Sequence, residues 1–219
     1  MPVVLIEVGA GAAIDGDVRA AVNRGVERGY KAGYLRNSIV RDPLGRGRPG
    51  YGPAVTHIES ARGNNVRVTV LPKGFGCENK SALKMFNPTV PIEKIKEFIT
   101  TCVKNAGPDA CPPYVVGVGI GGTSDYACWL AKKALLRKIS TRAGNAAGRG
   151  TKKLENELLR AINSLNIGPM GLGGATTALA VHVETYPTHI AGLPVAVNIS
   201  CHALRSASAS VAAESGSRR

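Results

Sequence analysis

Cys111-Pro112-Pro113-Tyr114-Val115-Val116-Gly117-Val118-Gly119-Ile120-Gly121-Gly122-Thr123 places three signals side by side. A cysteine is stiffened by two prolines, which fix φ and remove two N–H donors. A short apolar run follows, of the length and composition of a buried strand. A glycine turn then opens a helix over Ser124 to Ile139. A reactive group, a core strand and a helix N-terminus thus fall within one supersecondary unit. Gly168 to Cys201 has related features: a glycine turn, a helix over Thr176 to Glu184, a strand over Leu193 to Ile199 and then a cysteine. The two stretches read as two sides of one site.

Outward from this unit, Val3 to Val8 is a strand and Val18 to Gly33 a helix, with Val18, Ala21, Val22, Val26 and Tyr30 at helical spacing after the turn Asp15-Gly16-Asp17, which holds an N-cap candidate. Asp42 to Pro53 reads as a Gly/Pro-rich mobile loop. Ala54 to Ser60 and Asn65 to Leu71 alternate as strands, and Ala61 to Asn64 between them suits a hairpin. Lys73 to Asn79 is a polar loop, and Ile92 to Asn105 and Lys152 to Leu165 are amphipathic helices. Ala143 to Gly150 reads as a linker, and Ser206 to Arg219, which lacks periodicity, as a disordered tail. The expected architecture is α+β, a mixed sheet with packed helices, as one domain over residues 1–205.

Net charge is +13, which suits an anionic small substrate and also raises the question of nucleic acid. Arg137, Lys138, Arg142, Arg149, Lys152 and Lys153 form a run without an acid between them. Charge alone reports electrostatics, little aromatic interleaving accompanies it, and no nucleic-acid-binding motif is present, so nucleic acid is not the expected partner. The cysteines number five and sit at no framework spacing, which points to reduced thiols and a cytoplasmic chain. No stretch approaches the roughly 18 apolar residues of a membrane span.

Gly117, Gly119 and Gly122 fit G-x-G-x-x-G between a strand and a helix. Lys138 to Gly150 holds no acid to take a ribose, so a tightly packed strand–helix turn is the favoured reading. Cys77, in a glycine loop, is expected to be exposed, whereas Cys102 and Cys128 are expected in the core. His189, after Pro187 and Thr188, is either a proton-transfer or substrate-binding residue or a turn histidine. His57 and His182 read as structural.

Four stretches carry a family resemblance: Gly29 to Ser38 with Arg36, Lys73 to Ser81 with Gly76, Ala110 to Thr123, and Asn166 to Arg205. The last includes Pro187-Thr188-His189-Ile190 and Asn198-Ile199-Ser200-Cys201-His202. The chain resembles the alpha subunit, or N-terminal catalytic region, of iron–sulfur hydro-lyases, namely class I fumarate hydratase and L-tartrate dehydratase. The resemblance implies a 4Fe–4S cluster held by cysteines, Cys111 and Cys201 among them, with an open iron for a dicarboxylate substrate. It implies that Arg36 pairs with a substrate carboxylate, Gly76 offers backbone to substrate and His189 contacts it. It further implies a beta subunit or C-terminal catalytic domain as partner, and an oligomer. The family's first cluster cysteine, in a Cys-Gln-Asp-Thr-Gly motif, would directly precede Val3, so the chain reads as an N-terminally shortened alpha-type domain. Phe75, Cys77 and Met170 depart from the usual Gly, Ser and Gln. Fumarate is favoured over tartrate by the Gly74–Ser81 loop. A catalytically incompetent remnant of such a subunit is the alternative reading.

Overall fold

The computed structural model describes residues 1–139 and 149–212. In chain order the elements are β1 (Pro2–Gly9), α1 (Val18–Ala32), β2 (Val55–Ala61), β3 (Asn65–Pro72), α2 (Phe75–Glu78), β4 (Ala82–Phe86), α3 (Ile92–Ala106), β5 (Tyr114–Gly122), α4 (Ser124–Ala134), α5 (Arg149–Asn163), β6 (Ala178–Thr188), β7 (Leu193–Ser200) and β8 (Ala207–Ala212). Two short 3-10 turns, Gly107–Ala110 and Pro169–Gly171, complete the list. Content is mixed α and β, as expected, but in two sheets. The chain divides into two compact units: residues 1–73 with the segment returning from Arg205, and Gly74–Leu204.

The first unit carries a sheet of order β2-β1-β3-β8. β1 runs parallel to β2 and antiparallel to β3, with Ile6 facing Ile58 on one side and Val68 on the other. β2 and β3 therefore form no hairpin, because β1 lies between them. β1 is the most continuously apolar run and takes the centre, where both edges are paired. The link from β2 to β3 passes across the end of β1. That path needs Gly9, since a Cβ there would sit 2.4 Å from the Gly63 carbonyl oxygen. α1 starts where the Asp17 carboxylate accepts from the Ala20 N–H at 2.9 Å. It buries Val26 and Tyr30 against Val4 and Ile6. An apolar cavity of about 910 Å³ lies between α1 and the sheet, lined by Val4, Ile6, Val22, Val26, Val68 and Val70 among others; it holds none of the candidate site residues.

Residues 207–212, expected to be disordered, form β8 and pair antiparallel with β3. All six side chains of β8 are exposed, so nothing in side-chain periodicity announces it. Backbone pairing to the open edge of β3 and a Thr69–Ser208 hydroxyl pair at 2.8 Å hold it. The rest of the expected tail, 213–219, lies outside the described residues, as do Arg142 and residues 143–148 of the expected linker. Arg149 and Gly150 already belong to α5.

The second unit carries a sheet of order β4-β7-β5-β6, with β7 antiparallel to both neighbours and β5 parallel to β6. Thr176 to Glu184, expected as a helix, is mostly strand. A short apolar run with Val181 and Val183 does not by itself distinguish the two, and the β-branched residues side with the strand. α3 and α5 cover one face, packing Ile95, Ile99, Val103, Leu158 and Ile162 over Val116, Val118, Val195, Val197 and Ile199. α4 covers the other face at close range. A Cβ on Gly117 would lie 2.0 Å from the Ala131 oxygen, and one on Gly119 2.1 Å from the Ala127 oxygen. These glycines serve helix-on-strand packing, as read from the missing ribose acid. The second glycine turn is pinned by buried Thr177, whose hydroxyl accepts from the Ile167 and Gly168 N–H groups at 3.1 and 3.3 Å.

Candidate functional site

Cys111 ends the 3-10 turn Gly107–Ala110 in the left-handed region, φ 55° and ψ 70°. Its N–H donates to the Pro108 carbonyl at 3.0 Å, and a cis peptide follows between Pro112 and Pro113. Its own carbonyl accepts from two groups of one residue, the His202 N–H at 3.4 Å and the His202 Nδ1 at 3.2 Å. The Met170 N–H donates to the Pro112 carbonyl at 2.9 Å, which docks the second glycine turn beside the Cys111 loop. Val115 pairs with Ser200 in the β5–β7 ladder. Cys201 is the next residue, so strand register brings Cys111 and Cys201 to one end of the sheet. Both thiols are half-buried and free.

The α2 segment lies against the same end. The Cys77 thiol donates to the Ala110 carbonyl at 3.2 Å, and a Cβ on Gly76 would sit 3.6 Å from the Asp109 oxygen. Cys77 is buried at 4% exposure, against the expectation of an exposed loop thiol. The four-residue α2 turn, which the Gly-rich pattern disguised as a loop, rolls it inward. Lys80 Nζ meets Asp109 Oδ2 at 2.9 Å. Tyr114, at the start of β5, donates its hydroxyl to the Gly107 carbonyl. Burial, with Cys77 next in weight, pushes its phenol up to about 12.

A polar network behind α2 escaped the sequence reading. Glu78 pairs with Lys132 of α4 and accepts from Asn198 Nδ2 of β7 at 3.2 Å; Asn198 Nδ2 also donates to the Ser81 hydroxyl at 2.8 Å. The advance signal was that Glu78, Ser81 and Asn198 lie in two of the family-like stretches. Cys128, expected in the core, is exposed on α4, while Cys102 packs half-buried against the core, where burial raises its thiol to about 11. Buried His182 offers Nδ1 to the Ala134 carbonyl at 3.1 Å, a structural role. Arg137, first residue of the basic run, is held by Glu155 at 2.7 Å and Glu184 at 3.4 Å. It serves α5–β6 packing and is not part of an open cationic patch.

His189 stands apart from the cysteines. It occupies the tip between β6 and β7, beyond the Gly122↔Thr188 pair that closes the other end of β5. A strand of this length separates the two ends by roughly 25 Å at about 3.3 Å per residue. Arg36 belongs to the first unit, exposed on the segment that follows α1.

Thiolates suit iron–sulfur clusters. Cys111 and Cys201 are two such thiols, half-buried on separate segments that hydrogen bonds join. Among the described residues no three His, Cys, Asp or Glu side chains are grouped to hold a metal ion, and Cys77 is turned to a carbonyl instead. No helix among the described residues is long and apolar enough to cross a membrane.

Comparison with known proteins bears on this arrangement. The chain is 53% identical over 142 residues to the putative L(+)-tartrate dehydratase subunit alpha of Methanocaldococcus jannaschii, a match covering 65% of this chain and 49% of that protein. It is 30% identical over 204 residues to the L(+)-tartrate dehydratase subunit alpha of Escherichia coli K12, covering 91% of this chain and 66% of that protein. The chain thus spans about half to two thirds of the length of these relatives. The model of the fumarate hydratase (Fumerase) family matches residues 1–210, nearly everything described, and the chain belongs to that family.

Proposed function

We propose that this chain is the alpha-type part of an iron–sulfur hydro-lyase that adds water to, and removes it from, a four-carbon dicarboxylate, with fumarate and malate as the pair. The observation that carries the reading is the convergence of Cys111 and Cys201 at one sheet end, with the Gly76 segment against it. Cys111 and Cys201 would hold two corners of a 4Fe–4S cluster. When bound, such a cluster with one open iron supplies a Lewis acid for the substrate hydroxyl and carboxylate. The chain's residues do the rest. Arg36 offers a planar fork to a carboxylate, which a lysine would not match. Gly76 offers a backbone N–H without side-chain obstruction, and His189 carries a proton at an imidazole nitrogen.

The relatives' names, as alpha subunits, support a second subunit type that completes the active protein. Tartrate is the competing substrate, because those names specify it. The test is anaerobic reconstitution of the chain with such a subunit, followed by parallel assays on fumarate, malate and L-tartrate. Fumarate–malate turnover, lost with Arg36→Ala by at least about a hundredfold as expected for a charged carboxylate contact, supports the reading. Tartrate turnover alone would replace the substrate, and a cluster-loaded complex inert on all three would refute the reaction.

A further inference from the structure

Most of the stretch expected as a mobile loop, Asp42 to Pro53, belongs to a built hairpin of the first unit, residues 39–50. Its stem closes where the Ile39 N–H donates to the Gly50 carbonyl at 3.0 Å and the Gly50 N–H donates back to the Ile39 carbonyl at 2.7 Å. Its tip closes where the Arg46 N–H donates to the Asp42 carbonyl at 2.9 Å and the Asp42 carboxylate accepts from the Leu44 N–H at 2.9 Å. The backbone N–H groups of Gly45 and Leu44 hold that carboxylate below the usual aspartate range. The base is rooted in the unit. Ile39 is buried, and the Tyr51 ring meets Tyr30 of α1 edge-on at 6.5 Å between centroids.

This ordered scaffold presents groups that nothing else in the chain uses. Leu44 at the tip is 92% exposed. Arg41, Arg46 and Arg48 are exposed around it. Among the described residues, none of the three guanidinium groups is in an ion pair or a hydrogen bond. Asp42, the acid of the hairpin, is engaged by backbone N–H groups instead. Arg46 also takes a left-handed backbone, φ 63°, which residues with a Cβ rarely adopt and which is met most often at functional positions. Three unpaired arginines around one aliphatic anchor have the composition of a protein contact surface, where arginine is enriched and charge pairs surround an apolar centre.

We propose that the tip of this hairpin docks on an acidic patch of the second subunit. This rests on the reading that a second subunit type completes the active protein. Carboxylates match the planar guanidinium forks two bonds at a time, and Leu44 enters an apolar spot among them. Another copy of this chain does not fit, because each copy carries a net charge of +13 and like charges facing each other repel. Nucleic acid would meet the charge, but the hairpin has no aromatic ring on which a base could stack, and its tip is aliphatic.

The test titrates the full chain with the second subunit used for reconstitution. One variant carries Arg41→Glu, Arg46→Glu and Arg48→Glu. A control carries Arg62→Glu, Lys104→Glu and Arg160→Glu, an equal change of net charge at exposed positions elsewhere. The hairpin variant is expected to bind the subunit about a hundredfold more weakly, and the control less than about threefold. Hydrogen exchange at amides of residues 39–50 is expected to slow by about tenfold or more when the native chain is bound. Native binding by the hairpin variant, an equal loss in both variants, or unchanged exchange over 39–50 would each overturn the inference. So would binding of a 20-nucleotide RNA that the hairpin changes abolish while subunit binding persists. Turnover is scored separately. A complex that docks through the hairpin and is inert on fumarate, malate and L-tartrate overturns the reaction reading and keeps the hairpin; an active complex that forms equally well with the hairpin variant does the reverse.

Discussion

At the scale of single residues, the contrast between Cys111 and Cys77 is instructive. Cys111 drew attention because two prolines and an apolar run surround it, and it sits in left-handed backbone with its carbonyl shared by two groups of His202. Cys77 was misread because a glycine-rich pattern does not reveal which way a single helical turn rolls. The Glu78–Lys132–Asn198 network was illegible for a related reason: its members come from three elements far apart in sequence. Lys132→Met removes the Lys132 ammonium from Glu78. Loss of about 2 kcal/mol in urea unfolding is expected, from a mostly buried charge-assisted bond; no change would mean that the pair adds nothing to stability. His182 yields a pH prediction. Burial, with Arg137 adding to it, holds its imidazole below the usual histidine range of 6.5. The folded pKa is thus below the unfolded one, so the stability due to His182 is full above about pH 6.5 and is lost as pH falls through the folded value. The urea midpoint should drop between about pH 7.5 and pH 5.5, and His182→Gln should flatten that drop. An identical drop in the variant would assign it to other groups.

At the scale of elements, local signals gave strands and helices, while pairing depended on contacts that no window contains. β1, β3, β5, β7 and the helices α1, α3 and α5 follow their apolar patterns closely. The expected hairpin failed because β1, from far upstream, takes the position between β2 and β3. β6 was taken for a helix because a short apolar run supports either period. β8 gave no signal at all, since its side chains face water and only its backbone is engaged. The α4–β5 contact makes the sharpest prediction at this scale. Gly119→Ala puts a Cβ 2.1 Å from the Ala127 oxygen and 2.6 Å from the Ala131 nitrogen, both backbone atoms of a packed helix. A cost of about 3 kcal/mol in urea unfolding is expected, at the upper end for an overpacked core. A near-neutral result would mean that α4 rides on β5 more loosely than the glycines indicate.

At the scale of the whole molecule, composition was compatible with an anionic small-molecule substrate, and nothing in it announced two compact units. The division was hidden because β8 returns to the first unit from the other end of the sequence. The candidate residues divide with it: Arg36 in the first unit, and Gly76, Cys111, His189 and Cys201 in the second. Within the second unit the sheet ends divide them again, which no linear reading of Pro187 to His202 could reveal. The joint role of Cys111 and Cys201 is the point on which the functional reading turns. The measurement that bears on it most directly is iron and acid-labile sulfide per chain after anaerobic reconstitution, in the native sequence and in Cys111→Ala and Cys201→Ala. Cluster bound by the native chain and lost in both variants is the expected result. Equal iron and sulfide in all three proteins, or none in any of them, would contradict a cluster held by these two thiols.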